Sequence, residues 1–192
     1  MDYAQIVNRC IRAARLDASV FNEVEHDPRL TSEAITVVAA VAVLGGIGSF
    51  LSGLFTRGII GAFGGLIVGV IMALVGYFIW SFICFFVGTR FMEGQAADVS
   101  EVMRPLGYAF APQALALFGF IPCLGGLITL VGALWSLVAG IIAVREALDF
   151  DTGKAVVTVV IGWVIVFFLS LLVGAIFGVG LAGMNALTGF LS

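Results

Sequence analysis

Charged side chains come in short blocks along this chain, and long apolar runs separate them. Residues 59–88, 105–144 and 155–192 contain no Asp, Glu, Lys or Arg. A hydrocarbon core about 30 Å thick is crossed by roughly 20 apolar residues in a helix. Each run meets that length, and 105–144 is long enough for two crossings. Its one turn signal is Ile121-Pro122-Cys123-Leu124-Gly125-Gly126. The pattern therefore predicts an all-α, polytopic membrane protein, a bundle of five transmembrane helices at about 34–55, 59–88, 105–121, 124–144 and 155–181. Thr31-Ser32-Glu33 before the first apolar run has the look of a helix start. Thr56-Arg57-Gly58 is a short turn. The second run is roughly 45 Å long as a helix, so it must tilt, kink or project from the bilayer.

Before the first crossing, residues 1–33 form a leader. Tyr3, Ile6, Val7, Cys10, Ile11, Ala14, Ala18 and Phe21 fall on one helical face, with Gln5, Asn8, Arg9, Arg12 and Arg15 on the other. Two compatible readings follow: a helix lying in the membrane interface, or a helix docked on the ends of the spans. Glu23, Glu25, His26 and Asp27 then make an acidic linker ending at Pro28.

Charge sets the expected orientation. With five crossings, the leader and the connections at 89–104 and 145–154 share a side carrying eight basic residues, and Arg57 alone stands on the other. The positive-inside rule then predicts a cytoplasmic amino terminus and an outside carboxyl terminus, in an inner membrane. All 12 acids share the cytoplasmic side, which bears 8 − 12 = −4 charges. A net charge of −3 argues against a nucleic-acid partner. The three cysteines have no CxxC pairing, so neither a disulfide framework nor a zinc site is expected.

The expected spans hold no ionisable charged side chain, unlike most ion-coupled transporters. Their polar groups include Ser49, Ser52, Ser81, Gln113, Ser136, Thr158 and Ser170. No nucleophile–base set, HExxH or P-loop occurs, so no enzyme, cofactor or metal is expected. Glu93, Asp98, Glu101, Arg145, Glu146 and Asp149 lie on two neighbouring connections and offer a cytoplasmic contact surface. Small residues recur at every fourth position: Gly45, Ser49 and Gly53; Gly61, Gly65 and Gly69; Gly174 and Gly178. Such stripes let helix backbones approach, within one chain or between copies.

The leader's Phe21-Asn22-Glu23-Val24 and Asp27-Pro28, the run Arg104-Pro105-Leu106-Gly107-Tyr108-Ala109-Phe110-Ala111-Pro112, the turn at Pro122, Trp135 and the exit Arg145-Glu146-Ala147-Leu148 occur in that order. This ordered set resembles the Yip-domain family of Rab/Ypt-interacting membrane proteins, and its compact bacterial members most. The resemblance covers residues 15 to 180 or so and marks Arg104, Gly107, Tyr108, Pro112 and Pro122 as motif positions. It implies a five-span bundle, a cytoplasmic amino terminus and self-association. Eukaryotic members act in ER–Golgi traffic and contact Rab GTPases partly through a long cytosolic domain with a Tyr-Gly-Pro motif. That motif is missing here, so a Rab-type partner is not expected. The expected function is non-enzymatic: a membrane-organising scaffold whose partners are the lipid bilayer and either further copies or other membrane proteins. The alternative is a conduit for a small or lipophilic solute, which a polar cavity at Ser81, Gln113 and Ser136 would favour.

Overall fold

The computed structural model describes residues 3–96 and 98–191, and side-chain surroundings for all of these except 55 and 176–191. Helix α1 is Tyr3–Ala14 and α2 is Ala18–Glu25. A short 3-10 turn, Pro28–Leu30, leads into α3, Thr31–Phe91. Next come α4 (Val99–Ala109), a longer 3-10 helix (Ala111–Phe120), α5 (Gly125–Ala147) and α6 (Thr152–Leu191). No strand occurs among the described residues.

Four stretches are long and apolar enough to cross a membrane: Pro28–Leu54, Thr56–Phe91, Gly125–Ala147 and Thr152–Ala175. The first two are the arms of α3. They fold back on each other at Gly58, where φ is 67° and ψ 176°. Only glycine takes that conformation readily, because a Cβ would collide with the backbone. Close packing holds the arms together: a Cβ on Gly53 would lie 3.3 Å from Ala62, and one on Gly46 3.3 Å from Leu66 and Val70.

The segment expected as a third crossing, 105–121, is not one α-helix. Helix α4 holds Pro105 in its interior and ends at Ala109, and Pro112 lies in the first turn of the 3-10 helix. Proline supplies no backbone N–H to an α-ladder, which favours a break. Ten residues in 3-10 form extend roughly 20 Å, against about 15 Å in α form. The segment runs parallel to the first arm of α3: Gly107 packs on Ala34, and Gly45 and Gly48 pack on Ala116. It runs antiparallel to α5, with Leu106 beside Gly140, Pro112 beside Gly132 and Gly119 beside Thr129.

The leader and both charged connections meet at one end of the bundle. There α2 packs on α4 and α5. Gln95 N donates to Leu148 O at 3.2 Å, and Lys154 Nζ donates to Met92 O at 3.0 Å. The opposite end carries the Gly58 bend and the 121–124 turn.

The core at the loop end is buried Val20, Phe21, Val24, Val38, Val102, Leu106, Val144 and Leu148. Away from it, large apolar side chains point outward, such as Ile60 at 86%, Phe168 at 64% and Leu172 at 58% exposure. An apolar surface this continuous is suited to lipid and would drive aggregation in water.

Candidate functional site

At the loop end the leader folds into a helical hairpin. Leu16, at φ 61°, makes the turn. Asp17 caps α2, accepting from Ser19 N at 3.0 Å and Ser19 Oγ at 2.6 Å. Those bonds, Ser19's hydroxyl first and then Arg12, hold the Asp17 carboxyl below its usual range. The hairpin's apolar residues divide between two surfaces. Ile6, Ala13, Val20, Phe21 and Val24 are buried, whereas Tyr3, Val7 and Ile11 are 74%, 57% and 47% exposed. The face expected to include both Ile6 and Ile11 is thus split: one strip docks on the bundle and the other stays open.

Charge pairs staple the docked strip. Arg12 donates to Asp17 Oδ2 at 2.9 Å and to Glu23 Oε2 at 2.8 Å. Arg9 donates to Glu23 Oε1 and to Glu33 Oε2, each at 3.0 Å. Glu33 Oε2 also accepts from the hydroxyl of the fully buried Tyr108, again at 3.0 Å. Glu23 is held below its ordinary value by Arg12 first and Arg9 next, against a burial effect that pushes it up. On the hairpin's other side, Trp135 Nε1 of α5 donates to Ala14 O at 2.8 Å. One network therefore connects the leader, the start of α3 and the third segment.

The motif residues have structural places in this arrangement. A Cβ on Gly107 would lie 2.8 Å from Ala34 Cβ, so α4 and α3 touch there. Arg104 is 3% exposed, with Nε donating to Ser100 O at 3.0 Å and Nη1 buried without a hydrogen-bond partner. Pro112 is buried, and Pro122 lies exposed on the far turn.

The acids expected as a contact surface do varied work. Asp98 caps α4 through Ser100 and Glu101. Arg145 pairs with its neighbour Glu146 at 2.7 Å. Glu93 and Asp149 take left-handed turn conformations, φ 61° and 52°, after α3 and α5. Glu25 has its carboxyl pushed up to about 7, by burial above all. His26 and Arg104 pull it down, and Asp149 and Glu101 push it up further.

The small-residue stripes have unlike surroundings. Gly45 and Gly53 sit against neighbouring segments, but a Cβ on Gly61 or Gly65 would meet only Arg57, and one on Gly69 or Gly174 nothing within 4 Å. Gly178 lies outside the residues whose surroundings are described. Gly45, Ser49 and Gly69 line a cavity of about 190 Å³, and Gln113 stands in its wall.

Gln113 also lines a larger cavity, about 350 Å³, between the second arm of α3, the third segment, α5 and α6. Tyr77, Trp80, Phe110, Ser136 and Trp163 line it too. Its aromatic wall is fixed by hydrogen bonds and packing. Tyr77 donates to Met103 O at 2.7 Å, and Trp80 Nε1 to Val159 O at 3.5 Å. Both rings meet Phe110 at centroid distances of 5.6 Å. The Trp80 indole is wedged between Gly140 of α5 and Gly162 of α6.

The match that decides the family covers the bundle and the leader's second helix, and leaves α1 outside: the Yip1 domain family fits residues 17–185. The chain belongs to the Yip1 domain family. No curated protein and no solved structure matches it. This Yip1-domain protein, with its apolar helices, is an integral membrane protein in contact with the bilayer. The Glu33–Tyr108 link and the Trp80 wedge went unread in the sequence. The one signal for the first was a lone acid at a helix start facing an apolar run that held a tyrosine.

Proposed function

We propose that this Yip1-domain protein is a non-enzymatic membrane-organising scaffold of an inner membrane, working through a platform at the loop end. The observation that carries this reading is the stapled leader. Charge pairs and buried side chains fix one strip, and Tyr3, Val7 and Ile11 are left exposed beside it. A rigid apolar edge at a bilayer surface is suited to a lipid leaflet or a neighbouring membrane protein.

Five crossings with a cytoplasmic amino terminus belong to the same proposal. Residues 106–110 in α form add roughly 7 Å to the 3-10 helix, and the total of about 27 Å nearly matches the hydrocarbon core. The parallel run beside the first arm of α3 supports a crossing, and the eight-to-one basic asymmetry supports the orientation. Ser192, outside the described residues, then ends on the far side.

The larger cavity, lined by Gln113 and Ser136, favours a second reading, a conduit for a small solute. One experiment separates the two. The scaffold reading expects a stoichiometric membrane-protein partner or a second copy in mild detergent, lost in Ile11→Asp with melting unchanged. Solute flux through sealed vesicles holding only the pure protein, with no partner in detergent, would replace the scaffold with the conduit.

A further inference from the structure

The larger cavity is about 350 Å³, within the range of small-ligand pockets, roughly 300–1,000 Å³. No charged side chain lines it. A charged head group would lose its hydration there without compensation, so the chemistry selects an uncharged guest. Four aromatic rings, Tyr77, Trp80, Phe110 and Trp163, form much of the wall and present faces on which a planar ring can stack.

Six polar side chains line the wall, and three of them are already engaged. The Tyr77 hydroxyl, the Trp80 N–H and the Ser170 hydroxyl each donate to a backbone carbonyl. Among the rest, Ser136 is the buried one: it is 1% exposed, and its Oγ has no hydrogen-bond partner. A buried hydroxyl with no partner is costly, and a guest oxygen would relieve that cost. Gln113 offers both a carbonyl and an amide on the same wall. Trp163, 42% exposed, and the exposed Ser170 mark a mouth on the lipid-facing surface.

We propose that this cavity binds a single uncharged lipophile whose planar ring stacks among the aromatic side chains and whose carbonyl or hydroxyl pairs with Ser136 and Gln113. A quinone head group on a hydrocarbon tail has this chemistry: the ring enters from the side and the tail stays in the bilayer. The wall is set beforehand, because Gly140 and Gly162 hold the Trp80 indole, so little ordering accompanies binding. Such a site needs one opening and no passage, and it stands whether or not the conduit reading does.

The test uses the full chain in lipid nanodiscs with decylubiquinone as probe. Of the three tryptophans, Trp135 bonds the leader and does not line this cavity. Trp135→Phe therefore leaves fluorescence from the two cavity rings. The expected result is saturable quenching near one probe per protein. In that background Ser136→Ala and Gln113→Leu should each weaken the midpoint roughly three- to tenfold, the loss of one hydrogen bond. Ser136 has no protein partner to lose, so its variant should melt at or above the parent, and it carries the test if Gln113→Leu fails to fold. Quenching that rises linearly with probe in the membrane would overturn the proposal. So would midpoints unmoved in both folded variants. Equal competition by n-dodecane, or by dioleoylglycerol, would overturn the ring-and-carbonyl chemistry.

Discussion

Gly140→Ala tests the central packing of the bundle, and Gly69→Ala is its control. A Cβ on Gly140 would lie 2.8 Å from Trp80 Cη2 and 3.3 Å from Cζ2. Carbon contacts settle at about 3.5–4.0 Å, so the indole would have to retreat by roughly 0.7 Å. Its other end is already against Gly162, where a Cβ would lie 2.8 Å from Cδ1. Trp80 is 5% exposed and touched at both ends, so only a shift toward the cavity would relieve both contacts. Overpacking of this kind costs about 1–3 kcal/mol. At Gly69 an added Cβ meets nothing within 4 Å. Both variants gain the same helix preference of alanine over glycine, about 1 kcal/mol. That gain cancels in the comparison and leaves the clash. Gly140→Ala should then melt below Gly69→Ala by about 2–12 °C, taking about 2–4 °C per kcal/mol for a chain of this size. Far-UV circular dichroism in one detergent would measure both. Equal melting with both variants at or above the parent would show that the indole is not wedged. Equal melting with both below it would mean that a helix, from another copy of the chain, covers the Gly61–Gly65–Gly69 stripe.

Glu25 has its carboxyl raised from 4.5 to about 7, so the docked leader keeps a proton that the free chain releases. Stability from this group is complete below pH 4.5 and is lost as pH rises through about 7. Glu25→Gln should keep α1 and α2 protected from amide exchange above pH 7, and an unchanged pH dependence in the variant would refute the assignment. Glu93 takes φ 61° at the end of α3, its side chain 91% exposed and 3.7 Å from Lys154. Glu93→Gly should raise stability by about 1 kcal/mol by relieving the left-handed strain, and a lowered melting temperature would show that the turn is not there.

The apolar runs made the long helices legible, because a run of about 20 residues without charge has few other solutions in lipid. The Gly58 bend was legible for a related reason: a charged residue and a glycine interrupt two such runs. The third segment was read as one helix from its uncharged length alone, and length does not tell an α-helix from a 3-10 helix. At period three, Gln113, Ala116 and Gly119 form one ridge, and these residues face the cavities, Gly45 and Thr129. Two prolines and this small-residue spacing were the available signal. The stripe at Gly61, Gly65 and Gly69 shows the opposite limit. Spacing reveals that a face is smooth, but not whether anything lies against it. Gly140 closes a stripe with Gly132 and Ser136 that went unread in the sequence, and Gly162 belongs to none; only the placement of Trp80, 60 or more residues away in sequence from either, shows what they accommodate. The Glu33–Tyr108 link spans 75 residues, and its one trace, an acid at a helix start, names no partner.

The run from Arg104 to Pro112 is where the two features of this Yip1-domain protein join. Tyr108 reaches out of it to Glu33 and so to the leader, and Phe110 reaches inward to Tyr77 and Trp80 at the cavity wall. Gly107 brings α4 against Ala34, which sets the distance over which Tyr108 can bond Glu33. Pro112 lies in the first turn of the 3-10 helix, where the α-ladder cannot resume, and the next residue, Gln113, stands between the two cavities. A displacement at one position must be taken up within a turn or two, because closely packed segments do not deform continuously. The leader's docking and the cavity's shape are therefore set by one stretch of backbone. That gives a physical reason for glycine, tyrosine and proline at these spacings: Gly107 meets Ala34, Tyr108 bonds Glu33 and Pro112 lies against Gly132, and together they fix how the platform stands on the bundle.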